Sequence, residues 1–224
     1  MMKNNLFLQA LKKIIAGFVA IGVLLFLPAG TLHYWNAWLL VAVLFVPMIF
    51  LGIVMLFKSP KLLEKRLDAK EKIAEQKCVV ALSGIMFIAA FVVAGLNFRF
   101  SWHSLPDYVI WIGASVFLLS YLIYAEVMRE NAFLSRTIEV QENQKVIDTG
   151  LYGIVRHPMY LATLIMFLSI PLILGSIISF AIMLAYIPII AVRMNNEEKV
   201  LEEGLEGYKE YKQKVKYKVI PFVW

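Results

Sequence analysis

The chain has 224 residues, of which 61% are hydrophobic and 17% charged, and its mean hydropathy is +0.74. Soluble domains sit near about 45–50% apolar, so a water-soluble globular protein is excluded and an integral membrane protein of formal net charge +6 is implied. The single cysteine, Cys78, excludes an intramolecular disulfide framework and reads as a small core residue in an apolar run.

Four apolar stretches come first: Ile14 to Tyr34, Trp35 to Phe57, Cys78 to Phe98 and Pro106 to Met128. Each is long enough to cross a hydrocarbon core about 30 Å thick as a helix. Lys12-Lys13 ahead of the first run, with LPAG inside it, also has the outline of a signal peptide, but the apolar run continues through Leu32. Between the second and third runs, KSPKLLEKRLDAKEKIAEQK offers Ser59 as an N-cap and Pro60 at the first helical position. This segment reads as a solvated surface helix, with a lipid-headgroup or partner contact as the alternative use of its lysines.

The fifth stretch, Pro158 to Val192, is too long for one span and slightly short of two full ones. Gly175-Ser176 near its middle supplies a tight turn, so a helical hairpin with two short or tilted limbs is expected. With the N-terminus inside, a hairpin leaves every lysine and arginine except Arg99 on the cytoplasmic side, as the positive-inside rule asks; a single span would carry Arg193 through Lys218 across. The tail from Asn195 to Tyr217 then places Leu201, Leu205, Tyr208, Tyr211 and Val215 at helical spacing. The expected fold is an all-α membrane protein of about six transmembrane helices, the last two a hairpin. A cytoplasmic C-terminal helix follows, lying on the membrane surface or closing over the inner ends of the spans. Both termini are expected in the cytoplasm.

The chemically unusual residues fall on one side. RENAFLSRTIEVQENQKVIDTGLYGIVRHPMY precedes the hairpin and RMNNEEKVLEEGLEGYKEYKQKVKYKVIPFVW follows it. A hairpin returns the chain to its starting face, so Arg156-His157 and Arg193 with Glu197-Glu198 meet at one membrane edge. Singly, each has a bland use. His157-Pro158 fits a helix start, Tyr152 and Tyr160 fit interfacial aromatics, Arg193 and Glu197 fit a helical pair, and Asn195 with Glu198 fits a capping box. A metal site at His157, Glu197 and Glu198 lacks a second nearby histidine. A transporter lacks ionisable residues at mid-span and inverted repeats, and haem or quinone binding lacks a histidine pair within the spans.

TGLYGIVRHPMY, an apolar hairpin, RMNNEE and YKEYKQKVKYKVIPF, in that order, resemble the isoprenylcysteine carboxyl methyltransferase family of membrane enzymes, over residues 131–224. The resemblance implies a methyltransferase that binds S-adenosylmethionine without a Rossmann domain, and the sequence has no Gly-x-Gly-x-x-Gly after a strand. Length and hydropathy imply one polytopic domain over 1–224 with four N-terminal spans (1–128), which match only as generic spans, and the resemblance implies a methyltransferase core over 129–224. Carried over by motif, Gln141, Gln144, Lys145, Val146 and Ile147 would line the cofactor pocket from the loop before the hairpin. Tyr152, His157, Pro158, Met159 and Tyr160 would line it at the hairpin's start, and Glu197 past its end. Arg193 would act on the substrate side, as a binding and catalytic residue.

The chemistry suits those residue types. The cofactor's carboxylate and ammonium call for a donor such as His157 and an acceptor such as Glu197. Arg193 offers a planar fork for a substrate carboxylate. Carboxyl O-methylation of an isoprenylcysteine-like substrate needs no general base, because that carboxylate is ionised at neutral pH. N-methylation of a phospholipid amine, the alternative, needs a base, for which Glu198 is the candidate. The implied partners are a lipophilic or lipidated substrate and membrane lipids, with no nucleic acid and no metal.

Overall fold

The computed structural model describes residues 2–68 and 74–224, and among these the regular structure is helical, with no strands. In chain order the helices are α1 (Met2–Ala29), α2 (Trp35–Lys58), α3 (Pro60–Leu67), α4 (Ala74–Phe100), α5 (Asp107–Glu130), α6 (Pro158–Ile173), α7 (Ile177–Met183), α8 (Tyr186–Gly204) and α9 (Tyr208–Lys214). A short 3-10 turn, Gly150–Gly153, precedes α6. Five stretches among the described residues are long and apolar enough to cross a membrane: Asn5–Ala29, Trp35–Lys58, Gln76–Phe100, Asp107–Glu130 and Ile177–Gly204. Helix α6 is apolar but has 16 residues, about 24 Å at the helical rise, the short limb expected of the hairpin. The molecule is an all-α membrane protein.

The first span lies earlier than expected. Lys12-Lys13 sit within α1, which ends where Gly30 turns left-handed at φ 70°, a conformation that costs glycine nothing. Leu25 and Ala29 at its end are fully buried. Gly95 of α4 makes that packing close: a Cβ there would stand 2.6 Å from the Leu25 carbonyl oxygen. Helices α5 and α6 approach in the same way at Gly113, where a Cβ would stand 2.9 Å from the Leu172 Cβ. Between these pairs runs one core that includes Tyr34, Leu40, Phe117, Ile173, Met183 and Met194. The outer flanks keep large apolar side chains exposed, among them Phe50, Ile85, Trp111 and Leu122, as lipid-facing surfaces do. Cys78, expected in the core, is instead exposed.

The hairpin turns where the sequence placed it. Gly175 has φ 71°, and the end of α6 is satisfied by side chains from the start of α2 and its N-cap: Tyr34 donates its hydroxyl to Leu174 O at 2.6 Å, and Asn36 Nδ2 donates to Ile173 O at 3.1 Å. Ser176 caps α7 by accepting the Ser179 N–H at 3.2 Å. The returning limb is bent rather than continuous. Pro188 has no N–H to give the Leu184 carbonyl and crowds it, and the helix breaks at Leu184–Ala185. Beyond the expected end at Val192, α8 runs on to Gly204, so Asn195 and Glu198 lie inside a helix and form no capping box.

One segment that the sequence left at the surface packs onto the bundle, and the tail, for which closure was one of two expectations, packs inward as well. Ser59 does precede α3 with Pro60 at the first helical position, although its side chain makes no capping bond. Leu62 and Leu63 are buried, so α3 is docked rather than solvated; the expected continuation through 69–73 lies outside the described residues. In the tail, Leu205, Tyr208, Tyr211 and Val215 form a small core with Leu201, Val140 and Val146. The apolar stripe therefore closes against the loop at 131–149, and Gly207 at φ 80° makes the corner between α8 and α9.

Candidate active site

The polar end of the bundle encloses a cleft of about 470 Å³, within the usual range of about 300–1,000 Å³ for small-molecule sites. Its walls come from α4, the 131–149 loop, the start of α6, the middle of α8 and the α9 tail. Tyr160 stands at its centre. Its hydroxyl donates to Glu197 Oε2 at 2.5 Å and accepts from Arg193 Nε at 3.1 Å, so one phenol links the first hairpin limb to two groups on the second. Arg193 also donates to Gln76 Oε1 at 3.2 Å and to the Arg136 carbonyl at 2.6 Å. From there an apolar arm leads between the spans, walled by Phe87, Phe167 and Tyr186, whose rings pack edge to face at 4.9 and 5.0 Å.

At one wall of the cleft, Arg156 and His157, with Glu198 outside the lining, bind hairpin, α8 and tail together. Glu198 Oε1 accepts from Arg156 Nε at 2.8 Å and lies 3.2 Å from His157 Nε2, while its Oε2 faces Lys212 and Lys218 at 3.4 Å each. Arg156 Nη1 donates to the carbonyls of Val215 and Lys216, both at 2.7 Å. The backbone N–H groups of Arg156 and His157 reach the Tyr217 and Lys218 carbonyls at 2.9 and 2.8 Å. A charged pair this deep is tolerated because both Glu198 oxygens and the Nε and Nη1 donors of Arg156 are answered.

Of the residues singled out from sequence, Gln144, Lys145, Val146, Ile147, Tyr152, His157, Met159, Tyr160, Arg193 and Glu197 line the cleft together. Gln141 does not; it is held by Lys65 and donates to the Phe133 carbonyl at 2.5 Å, shaping the loop from outside. Pro158 is buried at the first position of α6 and sets the helix start. Glu198 lies behind the lining with its four partners.

Other lining residues carried no recognisable signal. Asn131 holds Tyr152 by donating to its hydroxyl at 2.9 Å, and its own Oδ1 takes the Phe133 N–H at 2.9 Å. Gln76 is outside the lining but accepts from Arg193, and it is fully buried although it opens an apolar run. Arg66 and Arg136 stand at the cleft's rim. Partial loss of water, then the charge of Arg66 and, less, that of Arg193, pulls the Arg136 guanidinium below its ordinary range. Tyr208 lines the cleft with a buried hydroxyl that has no hydrogen-bond partner. Burial, reinforced by Glu198 and Glu197, pushes that phenol's pKa upward, so it stays a neutral donor.

Comparison with known proteins places the same region in a recognised context. Residues 108–206 match the sequence model of the phospholipid methyltransferase family, from α5 through the cleft's loop and the hairpin to the end of α8, and this points to a membrane methyltransferase. A stretch of 91 residues is 31% identical to the Delta(14)-sterol reductase TM7SF2 of Mus musculus, covering 39% of this chain and 22% of that protein.

Proposed function

We propose that this protein transfers a methyl group from S-adenosylmethionine to a lipophilic acceptor that enters the cleft from the membrane. The observation that carries the reading is the joint placement of Tyr160, Arg193, Glu197 and Tyr208 around one cleft with an apolar arm. The donor set suits that cofactor: Tyr208 has a buried hydroxyl still to be answered, and Glu197 is an acceptor for an ammonium. Tyr152, kept in place by Asn131 and by Tyr211, which donates to the Tyr152 carbonyl at 2.7 Å, offers a ring for the adenine. Bound there, the cofactor supplies an electrophilic methyl on a sulfonium, and the departing thioether needs no acid.

The chain's own task is then to hold, orient and keep dry. Arg193, fixed by Tyr160, Gln76 and the Arg136 carbonyl, presents a positive edge to the acceptor's polar group. The aromatic arm holds its apolar part and excludes water. A carboxylate acceptor needs no base. An amine acceptor must lose a proton, and Glu197 faces the cleft to take it, whereas Glu198 is already committed to Arg156 and His157. We assign Glu198 a positioning role in place of the catalytic one suggested by sequence. The basic end of the bundle faces the cytoplasm in this reading, in keeping with the positive-inside rule.

The acceptor is tested directly. Purified protein, tritiated S-adenosylmethionine and either a farnesylcysteine analogue or phosphatidylethanolamine should give a labelled lipid. Label released by mild base identifies a methyl ester, and base-stable label an N-methyl product, the outcome that the family match favours. Label in neither lipid, with a cofactor that binds, would move the acceptor outside both classes.

A further inference from the structure

Residues 219–224, VIPFVW, are apolar throughout and follow a tail with lysine at 212, 214, 216 and 218. Their backbone closes on itself as a hook. The N–H groups of Val219 and Ile220 both reach the Trp224 carbonyl oxygen at 2.9 Å, and those of Val223 and Trp224 return to the Ile220 carbonyl at 3.2 and 2.9 Å. Pro221 has no N–H to satisfy. The hook is fixed from within, since Val219 is fully buried in the main core and Trp224 packs against it. Its tip is the reverse: Phe222 is 87% and Val223 77% exposed, and Ile220 is exposed beside them. Phe222 also holds φ 63°, a conformation that disfavours any residue with a Cβ. An apolar tip held outward on a strained but internally hydrogen-bonded backbone suits hydrocarbon, where backbone groups must be answered without water.

Position points the same way. The N–H groups of Arg156 and His157 donate to the carbonyls of Tyr217 and Lys218 in that order, so the two segments run in the same sense. The next residue on one is Pro158, which opens α6, and on the other Val219, which opens the hook. The hook therefore lies beside the first turn of a helix that enters the membrane. With 16 residues, α6 is about 24 Å long against a hydrocarbon core of about 30 Å, so its first turn cannot stand far above the apolar layer. Lys216 and Lys218, just before the hook, then fall at the layer's polar edge, where long cationic side chains reach headgroups.

We propose that residues 219–224 are a membrane-inserted anchor, with Ile220, Phe222 and Val223 among the acyl chains of the leaflet at the polar end of the bundle. The anchor holds the strap at 215–218 against Arg156 and His157, and with it one wall of the cleft. The inference is independent of the reaction proposed above and of its acceptor.

The test is spin-label accessibility on the full chain in phospholipid nanodiscs, in a Cys78→Ala background. Nitroxides at Phe222→Cys and Val223→Cys are compared with one at Ile85→Cys, on a lipid-facing flank, and one at Lys209→Cys, exposed on α9. Both hook sites should show a several-fold higher ratio of oxygen to nickel-chelate collisions than Lys209→Cys and approach Ile85→Cys. A ratio at both hook sites equal to that of Lys209→Cys would place the tip in water and overturn the anchor. Shielding from both reagents with dipolar broadening would overturn it too, because a second copy of the chain would then be the cover. If Phe222→Cys fails to fold, Val223→Cys carries the comparison. Cleavage by trypsin after Lys216, whose carbonyl accepts from Arg156 Nη1 at 2.7 Å, reports release of the strap. Phe222→Asp/Val223→Asp should speed it by about tenfold, and an unchanged rate would count against the anchor.

Discussion

Glu198→Gln is the sharpest perturbation of the scaffold, because it removes one charge while nearly preserving shape. The side chains of Arg156 and Glu198 are 5% and 4% exposed, so the guanidinium left behind cannot recruit water in place of the lost carboxylate. Breaking one partner of a buried pair costs about 3–5 kcal/mol. Lys212 and Lys218 add little, since both are partly exposed and such contacts are worth about 0–1 kcal/mol. Unfolding by sodium dodecyl sulfate in mixed micelles, followed by tryptophan fluorescence, should therefore show Glu198→Gln and Arg156→Met each destabilised by about that 3–5 kcal/mol. The double variant Arg156→Met/Glu198→Met should lose clearly less than their sum, by about 0.5–3 kcal/mol, the usual coupling of groups in contact. Single variants as stable as the wild type, with chemistry alone slowed, would refute the positioning role and restore Glu198 as the base.

Three further outcomes follow from the geometry. Tyr208→Phe should leave the free protein as stable as the wild type or more so, because the hydroxyl it deletes has no partner there, while weakening S-adenosylhomocysteine by about tenfold in a calorimetric titration. Tyr160→Phe should lower methyl transfer by cutting the link between Glu197 and Arg193, with the fold intact by circular dichroism. Gly113→Ala should cost about 1–3 kcal/mol by overpacking α5 against α6, whereas Gly52→Ala, whose Cβ meets nothing within 4 Å, should be neutral in the same unfolding assay.

Spans were legible because hydropathy and length are strong one-dimensional signals. The hairpin was legible because charge placement forbade a single crossing and Gly175 supplied the turn. The bend at Leu184 was not read, although Pro188 carried its cause. Lys12-Lys13 mark a boundary in the hydropathy pattern but not in the helix: α1 starts at Met2 and carries both lysines within it. Within the site, residues in compact motifs were found: Tyr152, His157, Met159 and Tyr160 share one short stretch, and Arg193 and Glu197 another. Arg66, Asn131 and Arg136 were not, since each reaches the cleft through tertiary packing and looks locally like a surface charge or a stray amide, and Gln76 meets Arg193 in the same way. Glu198 shows the converse limit. Sequence put it beside the chemistry, but its partners Arg156, Lys212 and Lys218 converge on it only once the tail has folded back.

Methyl-donor binding tests the account most directly. Isothermal titration of S-adenosylhomocysteine into the purified protein should give saturable binding at one site, reduced by Glu197→Gln and by Tyr208→Phe. No binding of S-adenosylhomocysteine to the wild type, or binding left unchanged by both variants, would contradict the methyltransferase reading.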